Sequence, residues 1–236
     1  MKNLHPYEDR YKRVYAAGAR FWEAPLPTEE LVNFIGKWKP PKGKVIEFGC
    51  GEGRDSIFLA RSGYDVTGVD IAPSAIRRAR EWADEEGLRI DFLVGDITAL
   101  DGISDNQFDL GVNIGCIHMF PDSEDRIRHL HEVWRVLKPS ALSFFLNKGG
   151  GTREEVIERF GPDWVPPKVG ELRPRMIVVD GEEKEIMLPI IAGHSFKRDE
   201  LEREFSITGF QVVDIQRKKT RPHGTCWQVI AAKHTR

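Results

Sequence analysis

Reactive side chains and glycines crowd into one stretch of this chain, Glu47-Phe48-Gly49-Cys50-Gly51-Glu52-Gly53-Arg54, and an acid, Asp70, follows about one helix and one strand later. Glycines let a backbone pass close to a ligand, because no Cβ intervenes and positive φ is accessible. An acid at the end of the next strand can accept hydrogen bonds from both hydroxyls of a ribose, or simply cap the segment that follows it. The chemistry suggested is the binding of a nucleotide-type cofactor. The elements that must position it are legible around the glycines: an apolar run from Lys44 to Phe48, a segment of helical length from Ser56 to Ser62, and a β-branched run from Tyr64 to Asp70.

A dinucleotide loop needs a third small residue at the last place of G-x-G-x-x-G, and here that place holds Arg54. The pattern Glu47-x-Gly49-x-Gly51-x-Gly53 instead resembles motif I of the class I S-adenosylmethionine-dependent methyltransferases. Within that family the run from Gly49 to Ser56, taken with Gly63 to Asp70, looks most like the tellurite-resistance and thiopurine-type enzymes and their small-molecule relatives. The resemblance covers about residue 28 to the C-terminus, apart from one insertion. It implies S-adenosylmethionine as cofactor, S-adenosylhomocysteine as product, and a cofactor-binding set of Glu47, Gly49, Cys50, Gly51, Gly53, Arg54, Asp70, Ile71, Asp96, Ile97, Asn113 and Gly115. In that set Asp96, at the end of a third strand (Ile90 to Val94), meets the adenine amino group and Ile97 the ring; the plain alternative for Asp96 is a turn residue.

On an open parallel sheet, ligands sit outside the carboxyl strand ends where strand order reverses, here between strand 1 and strand 4 (Phe108 to Ile114). The loop after strand 4, Gly115-Cys116-Ile117-His118-Met119-Phe120-Pro121, should therefore face the methyl group, with Asn113 and Gly115 at the methionine end. His118 is the candidate catalytic residue, as general base or as substrate orienter, against the alternative of a histidine that packs or meets water. The loop has no Asn/Asp-Pro-Pro-Tyr/Phe run, the pattern of many base and glutamine N-methyltransferases of the family it resembles, so the resemblance implies that a nucleic-acid substrate is disfavoured.

Two further stretches bear on a substrate. Tyr7, Tyr11, Val14 and Tyr15 recur at helical spacing with Phe21 and Trp22 just beyond, which reads as core packing or, by the resemblance, as an N-terminal helical lid over residues 1–27. After strand 5 (Ala141 to Leu146), an insertion over about 148–194 begins with Gly149-Gly150-Gly151 as a hinge and Thr152-x-x-Glu155 as a capping box. It continues into a hairpin, Met176 to Val179 and Glu185 to Leu188, with a loop of about four residues around Asp180-Gly181. A hinge, helix and hairpin suggest a substrate lid or a rigid surface insertion, from which Trp164, Arg173 and Arg175 could reach a substrate. Phe21, Trp22, His118, Met119 and Trp164 form the candidate substrate-binding set.

The remaining elements complete an α/β reading. Thr28 starts a helix bearing Leu31, Phe34, Ile35 and Trp38; Pro73-Ser74 caps another over 75–86; Asp122-Ser123 opens a third that ends at Lys138-Pro139-Ser140. Lys197 to Phe205 is helical, and Gly209 to Ile215 with Trp227 to Ala232 form an antiparallel pair joined by roughly 11 residues. The expected fold is a Rossmann-like, doubly wound seven-stranded sheet of order 3-2-1-4-5-7-6, strand 7 antiparallel, in a methyltransferase domain spanning 28–236.

Composition fits that reading. The 236 residues are 40% hydrophobic with a formal charge of −2, so no global attraction to nucleic acid or anionic membrane is built in. The basic run Arg217-Lys218-Lys219-Thr220-Arg221 reads as a solvated strand end. Cys50, Cys116 and Cys226 lack metal-site spacing, so no metal site is expected, and a reducing, cytoplasmic setting is expected with no membrane span. The expected function is in-line transfer of a methyl group to a small-molecule acceptor such as a thiol or other soft nucleophile. O- or N-methylation of a metabolite, methylation of RNA or protein, a nicotinamide oxidoreductase and a cofactor sensor are the alternatives.

Overall fold

The computed structural model describes residues 5–21, 26–150, 153–220 and 224–234. The helices are α1 (His5–Ala16), α2 (Glu29–Trp38), α3 (Arg54–Arg61), α4 (Pro73–Glu85), α5 (Ser123–Val136), α6 (Arg153–Phe160) and α7 (Arg198–Ile207). The strands are β1 (Lys44–Phe48), β2 (Asp65–Asp70), β3 (Asp91–Val94), β4 (Phe108–Ile114), β5 (Leu137–Lys148), β6 (Leu172–Val179), β7 (Glu182–Pro189), β8 (Phe210–Thr220) and β9 (Gly224–Lys233).

Seven strands form one sheet in the order β3-β2-β1-β4-β5-β9-β8, and β6 with β7 forms a separate two-stranded hairpin. Allowing for that inserted hairpin, this is the expected order, with β9 antiparallel to both β5 and β8. Alternation along each strand feeds two faces, both covered. Val45, Leu110, Val112 and Phe144 pack with Leu31 and Phe34 of α2 on one side. Ile46, Phe48 and Phe145 pack with Leu130 and Val133 of α5 and Leu201 and Phe205 of α7 on the other. Burial on both faces explains why these strands read as nearly continuous apolar runs. Strand order reverses between β1 and β4, which pair in parallel from Val45↔Leu110 to Phe48↔Asn113, so their carboxyl ends open a crevice.

Several local expectations change. Ser74 does not cap α4: Ala72 holds the cap position, Pro73 takes the first helical turn where its missing N–H costs nothing, and the Ser74 hydroxyl donates to Glu8 instead. Strand β5 starts at Leu137 with no intervening turn, and Ser140, at φ 63°, accompanies a register shift against β4 between Phe108 and Leu110. The β6–β7 loop is two residues, Asp180 and Gly181, both at positive φ (53° and 84°), as a tight primed turn requires. Pairing also extends β8 and β9 as far as Thr220↔Gly224, so most of the expected long connection is ladder. The Thr152 side of the expected capping box lies outside the described residues; Glu155 pairs with Arg217, 2.6 Å away.

One buried charge cluster fastens α5 to α7. The Arg126 guanidinium donates to both carboxylate oxygens of Glu204 (2.7–3.1 Å), to Glu200 (3.0 Å) and to the carbonyls of Phe120 and Pro121. Arg126 is 2% and Glu204 1% exposed, so removing one partner strands a charge. Arg126→Met should therefore lower unfolding free energy by about 3–5 kcal/mol in urea titrations, and adding Glu204→Leu should recover much of it. A loss under about 1 kcal/mol would show the pair behaving as a surface bridge.

Candidate active site

The turn from β1 into α3 is shaped by near-contacts. The amides of Gly49 and Cys50 both donate to Val69 O (2.8 and 3.1 Å), folding the loop back onto β2. Gly49 (φ 73°) lies against Cys116, where a Cβ would collide with its sulfur; a Cβ on Gly51 (φ 54°) would stand 2.7 Å from Tyr11 Oη. The Asp70 carboxylate is fixed by two backbone donors, Gly51 N to Oδ2 (2.9 Å) and Ala72 N to Oδ1 (2.8 Å). Each oxygen keeps a second lone pair. Burial pushes the Asp70 pKa up, against the pull of those two amides.

Glu47, 3% exposed, accepts from the Ser56 hydroxyl and stands near Asp55; burial first, and that neighbour second, push its pKa up to about 8. Arg54, expected at the cofactor, donates to Thr28 Oγ1 (2.6 Å) and Asp55 (3.1 Å). Asp55 also accepts from Thr28 N (2.6 Å), so these groups lock α2 to α3. Ile71 follows Asp70, half-buried at the same strand end.

Helix α1 crosses above this turn. Glu8 accepts from Ser74 N and Oγ at the start of α4 (3.1 and 2.6 Å), Tyr7 Oη donates to Met119 O (3.2 Å), and Phe21 N donates to Glu52 (2.7 Å). Burial pushes the Tyr7 phenol up to about 12, helped by the nearby Cys116 and Asp70. The hairpin packs on the same helix through Val14, Phe21, Ile177 and Leu188. Trp22 lies outside the described residues. Trp164 is on the insertion at 39% exposure, and Arg173 pairs with Glu171 (2.9 Å).

The far side of the crevice is held by two asparagines and a histidine. Asn113 accepts from Ile117 N (3.2 Å) and Asn147 Nδ2 (3.2 Å) and donates to His129 Nε2 (2.8 Å), so its amide orients the loop rather than facing the crevice. Asn147 Oδ1 accepts from Cys116 N (3.2 Å) and meets His118 Nδ1 at 3.3 Å. Gly115, at φ 65°, donates to Leu146 O. His129 Nδ1 faces Ile97 O (3.0 Å), which sets the Nδ1–H tautomer and ties the loop after β4 to the loop after β3. Asp96 Oδ1 accepts from Thr98 N and Oγ1, leaving Oδ2 for another donor. The sequence reading missed Asn147 and His129, which are embedded in a strand and a helix with no motif around them. Among the described residues, no group of three or more His, Cys, Asp or Glu is arranged for a metal ion, and no helix is long and apolar enough to cross a membrane.

Residues 45–140, from the glycine turn to the start of β5, match the sequence profile of the methyltransferase-domain family. These residues form a methyltransferase domain of that family. The domain is 32% identical over 121 residues to 2-heptyl-1-hydroxyquinolin-4(1H)-one methyltransferase of Mycobacteroides abscessus, covering 51% of this chain and 52% of that one. It is 26% identical over 151 residues to ubiquinone biosynthesis O-methyltransferase of Xanthomonas axonopodis, covering 61% and 62%. The chain thus spans about half to three-fifths of the length of these curated relatives. The fold of a solved methyltransferase from Methanosarcina mazei superposes with TM-score 0.68 at 24% identity, over 86% of this chain and 98% of that one.

Two buried groups give the methyltransferase domain opposite pH dependences. Burial holds His129 down to about 4, so between pH 4 and 6.5 the unfolded chain takes up a proton that the folded one refuses, and stability falls as pH falls. Glu47 acts the other way: between pH 4.5 and 8 the folded carboxyl keeps a proton that the unfolded one releases, so stability falls as pH rises. In urea titrations across pH 4–9, His129→Gln should flatten the acid-side loss, and Glu47→Gln should gain on the wild type as pH climbs past 6. Parallel curves for all three proteins would contradict both assignments.

Proposed function

We propose that the chain transfers a methyl group from S-adenosylmethionine to a small-molecule acceptor by in-line displacement. The observation that carries this reading is the Asp70 carboxylate, oriented by Gly51 N and Ala72 N beside a turn too tight for side chains. An acceptor so fixed suits the two ribose hydroxyls. Glu47, Gly49, Cys50, Gly51, Gly53 and Gly115 shape the methionine end, Asn113 holds the loop after β4 from behind through Ile117, Asn147 and His129, Ile71 lies beside the ribose, and Asp96 with Ile97 receives the adenine. Arg54 serves this set by holding the turn in place, through Thr28 and Asp55.

Helix α1 and the hairpin act as a lid that excludes water, and orientation in a closed site is worth about 7–11 kcal/mol in well-aligned intramolecular reactions. Phe21, Met119, His118, Trp22 and Trp164 are the substrate-side candidates. Asn147 Oδ1 can only accept, so His118 presents Nδ1–H to it, and the neutral ring so oriented is the candidate base. A base at this position serves an acceptor that must lose a proton, a hydroxyl or a ring nitrogen, whereas a thiolate needs none. The names of the quinolone and ubiquinone relatives support a small-molecule acceptor.

Calorimetry should show S-adenosylhomocysteine binding that Asp70→Ala weakens on the order of tenfold or more, as loss of charged hydrogen bonds implies. Preference for NAD over S-adenosylhomocysteine would restore the oxidoreductase alternative. Once an acceptor is found, His118→Gln should lower kcat on the order of a hundredfold and abolish the acid-limb pH dependence, the loss of rate as pH falls. An unchanged rate across pH would return the reading to a thiolate acceptor.

A further inference from the structure

Arg10 stands in the middle of the inward stripe of α1, between Tyr7 and Val14. Its neighbours Tyr7 and Tyr11 reach the loop after β4 and the glycine turn, whereas Arg10 reaches the hairpin: Nη1 donates to Pro189 O (2.6 Å), and the guanidinium lies 5.6 Å from the centre of the Phe21 ring. Arg175 approaches the same ring at 4.6 Å and donates to Phe21 O (3.1 Å). Two guanidiniums therefore converge on one phenyl ring.

The carboxylates of α1 are committed elsewhere, Asp9 to Arg13 (2.8 Å) and Glu8 to Ser74 and Lys12. Glu52, the acid nearest Phe21, accepts from that residue's amide. Among the described residues no carboxylate lies within ion-pair distance of Arg10, and its only hydrogen bond uses Nη1. The Nε–Nη2 edge, the fork that matches a carboxylate in two parallel bonds, is left over. Burial and the charge of Arg175 both hold the Arg10 pKa down, a cost that a bound anion would relieve. Tyr7, one turn before Arg10, donates to Met119 O (3.2 Å), and the chain beyond Pro189 runs to His194, whose amide donates to His118 O (2.7 Å), so both neighbours of Arg10 lead to the loop after β4.

We propose that Arg10 recognises a carboxylate on the acceptor, with Arg175 adding its charge, so that the substrate is a small organic acid whose methyl-accepting atom lies away from that carboxylate. The inference rests on the methyltransferase reading above and names its substrate class. The aromatic lining of Tyr7, Tyr11 and Phe21 favours an arene acid.

The test titrates protein saturated with S-adenosylhomocysteine with benzoate, benzamide and phenyl phosphate, followed by NMR. Benzoate should bind and benzamide should not. Arg10→Gln should weaken benzoate on the order of tenfold or more, while S-adenosylhomocysteine affinity stays within about twofold. Equal binding of benzoate and benzamide, no binding of benzoate, or unchanged benzoate binding by Arg10→Gln overturns the proposal, as does tighter binding of phenyl phosphate, which reassigns the site to phosphate. An equal loss of S-adenosylhomocysteine affinity in Arg10→Gln also overturns it, because Arg10 would then hold the donor's own carboxylate. Failure of wild-type protein to bind S-adenosylhomocysteine at all is a failure of the methyltransferase reading itself.

Discussion

The site depends on one carboxylate tied to two turns. Asp70 ends β2 and accepts from Gly51 in the turn before α3 and from Ala72 in the turn before α4. Those two amides belong to helix entrances on neighbouring βα units, so the spacing between the units is set by hydrogen bonds to a single side chain. Everything around it is packed to fit: a Cβ on Gly53 would stand 2.7 Å from Phe92, and one on Gly51 the same distance from Tyr11. A backbone so confined leaves room for a ligand only above the turn, where α1 lies.

From that anchor the two sides of the crevice divide the work. The β1–β2–β3 side presents oriented acceptors, Asp70 and Asp96, with Glu47 buried beneath the turn. The β4–β5 side presents a loop whose shape is written by Asn113 and Asn147, and His129 joins the sides by bonding Ile97 O and Asn113 at once. A neutral imidazole serves this role because each ring nitrogen then has a different task, one donating and one accepting. Helix α1 and the hairpin share a small apolar cluster apart from the main cores, and α1 contacts both sides of the crevice, through Glu8 to Ser74 and Tyr7 to Met119 O.

What could be read from residues alone was whatever local chemistry dictates. The glycine turn, Asp70 and β4 were placed correctly because turn residues and β-branched runs act over a few positions. The sheet order followed from alternating elements and from a connection too short to cross over. Extents were less legible: the strand read as Gly209 to Ile215 runs on to Thr220, in a ladder with Gly224 to Trp227 that only the partner strand reveals, and the basic run is its strand end. Arg54 sits inside the motif, but its partner Thr28 is 26 residues away, so its structural role has no local signature. Asn147 and His129 act through contacts of the same long-range kind. The motif resemblance specified the donor more sharply than the acceptor, since α1 and the insertion lie outside the matched region.

The most direct test is a crystal structure of the protein grown with S-adenosylhomocysteine. The account predicts both ribose hydroxyls on the Asp70 carboxylate, the homocysteine chain along Gly49 to Gly51, and adenine beside Asp96 and Ile97. A ligand bound elsewhere, or bound here with Asp70 still holding only Gly51 and Ala72, would contradict it.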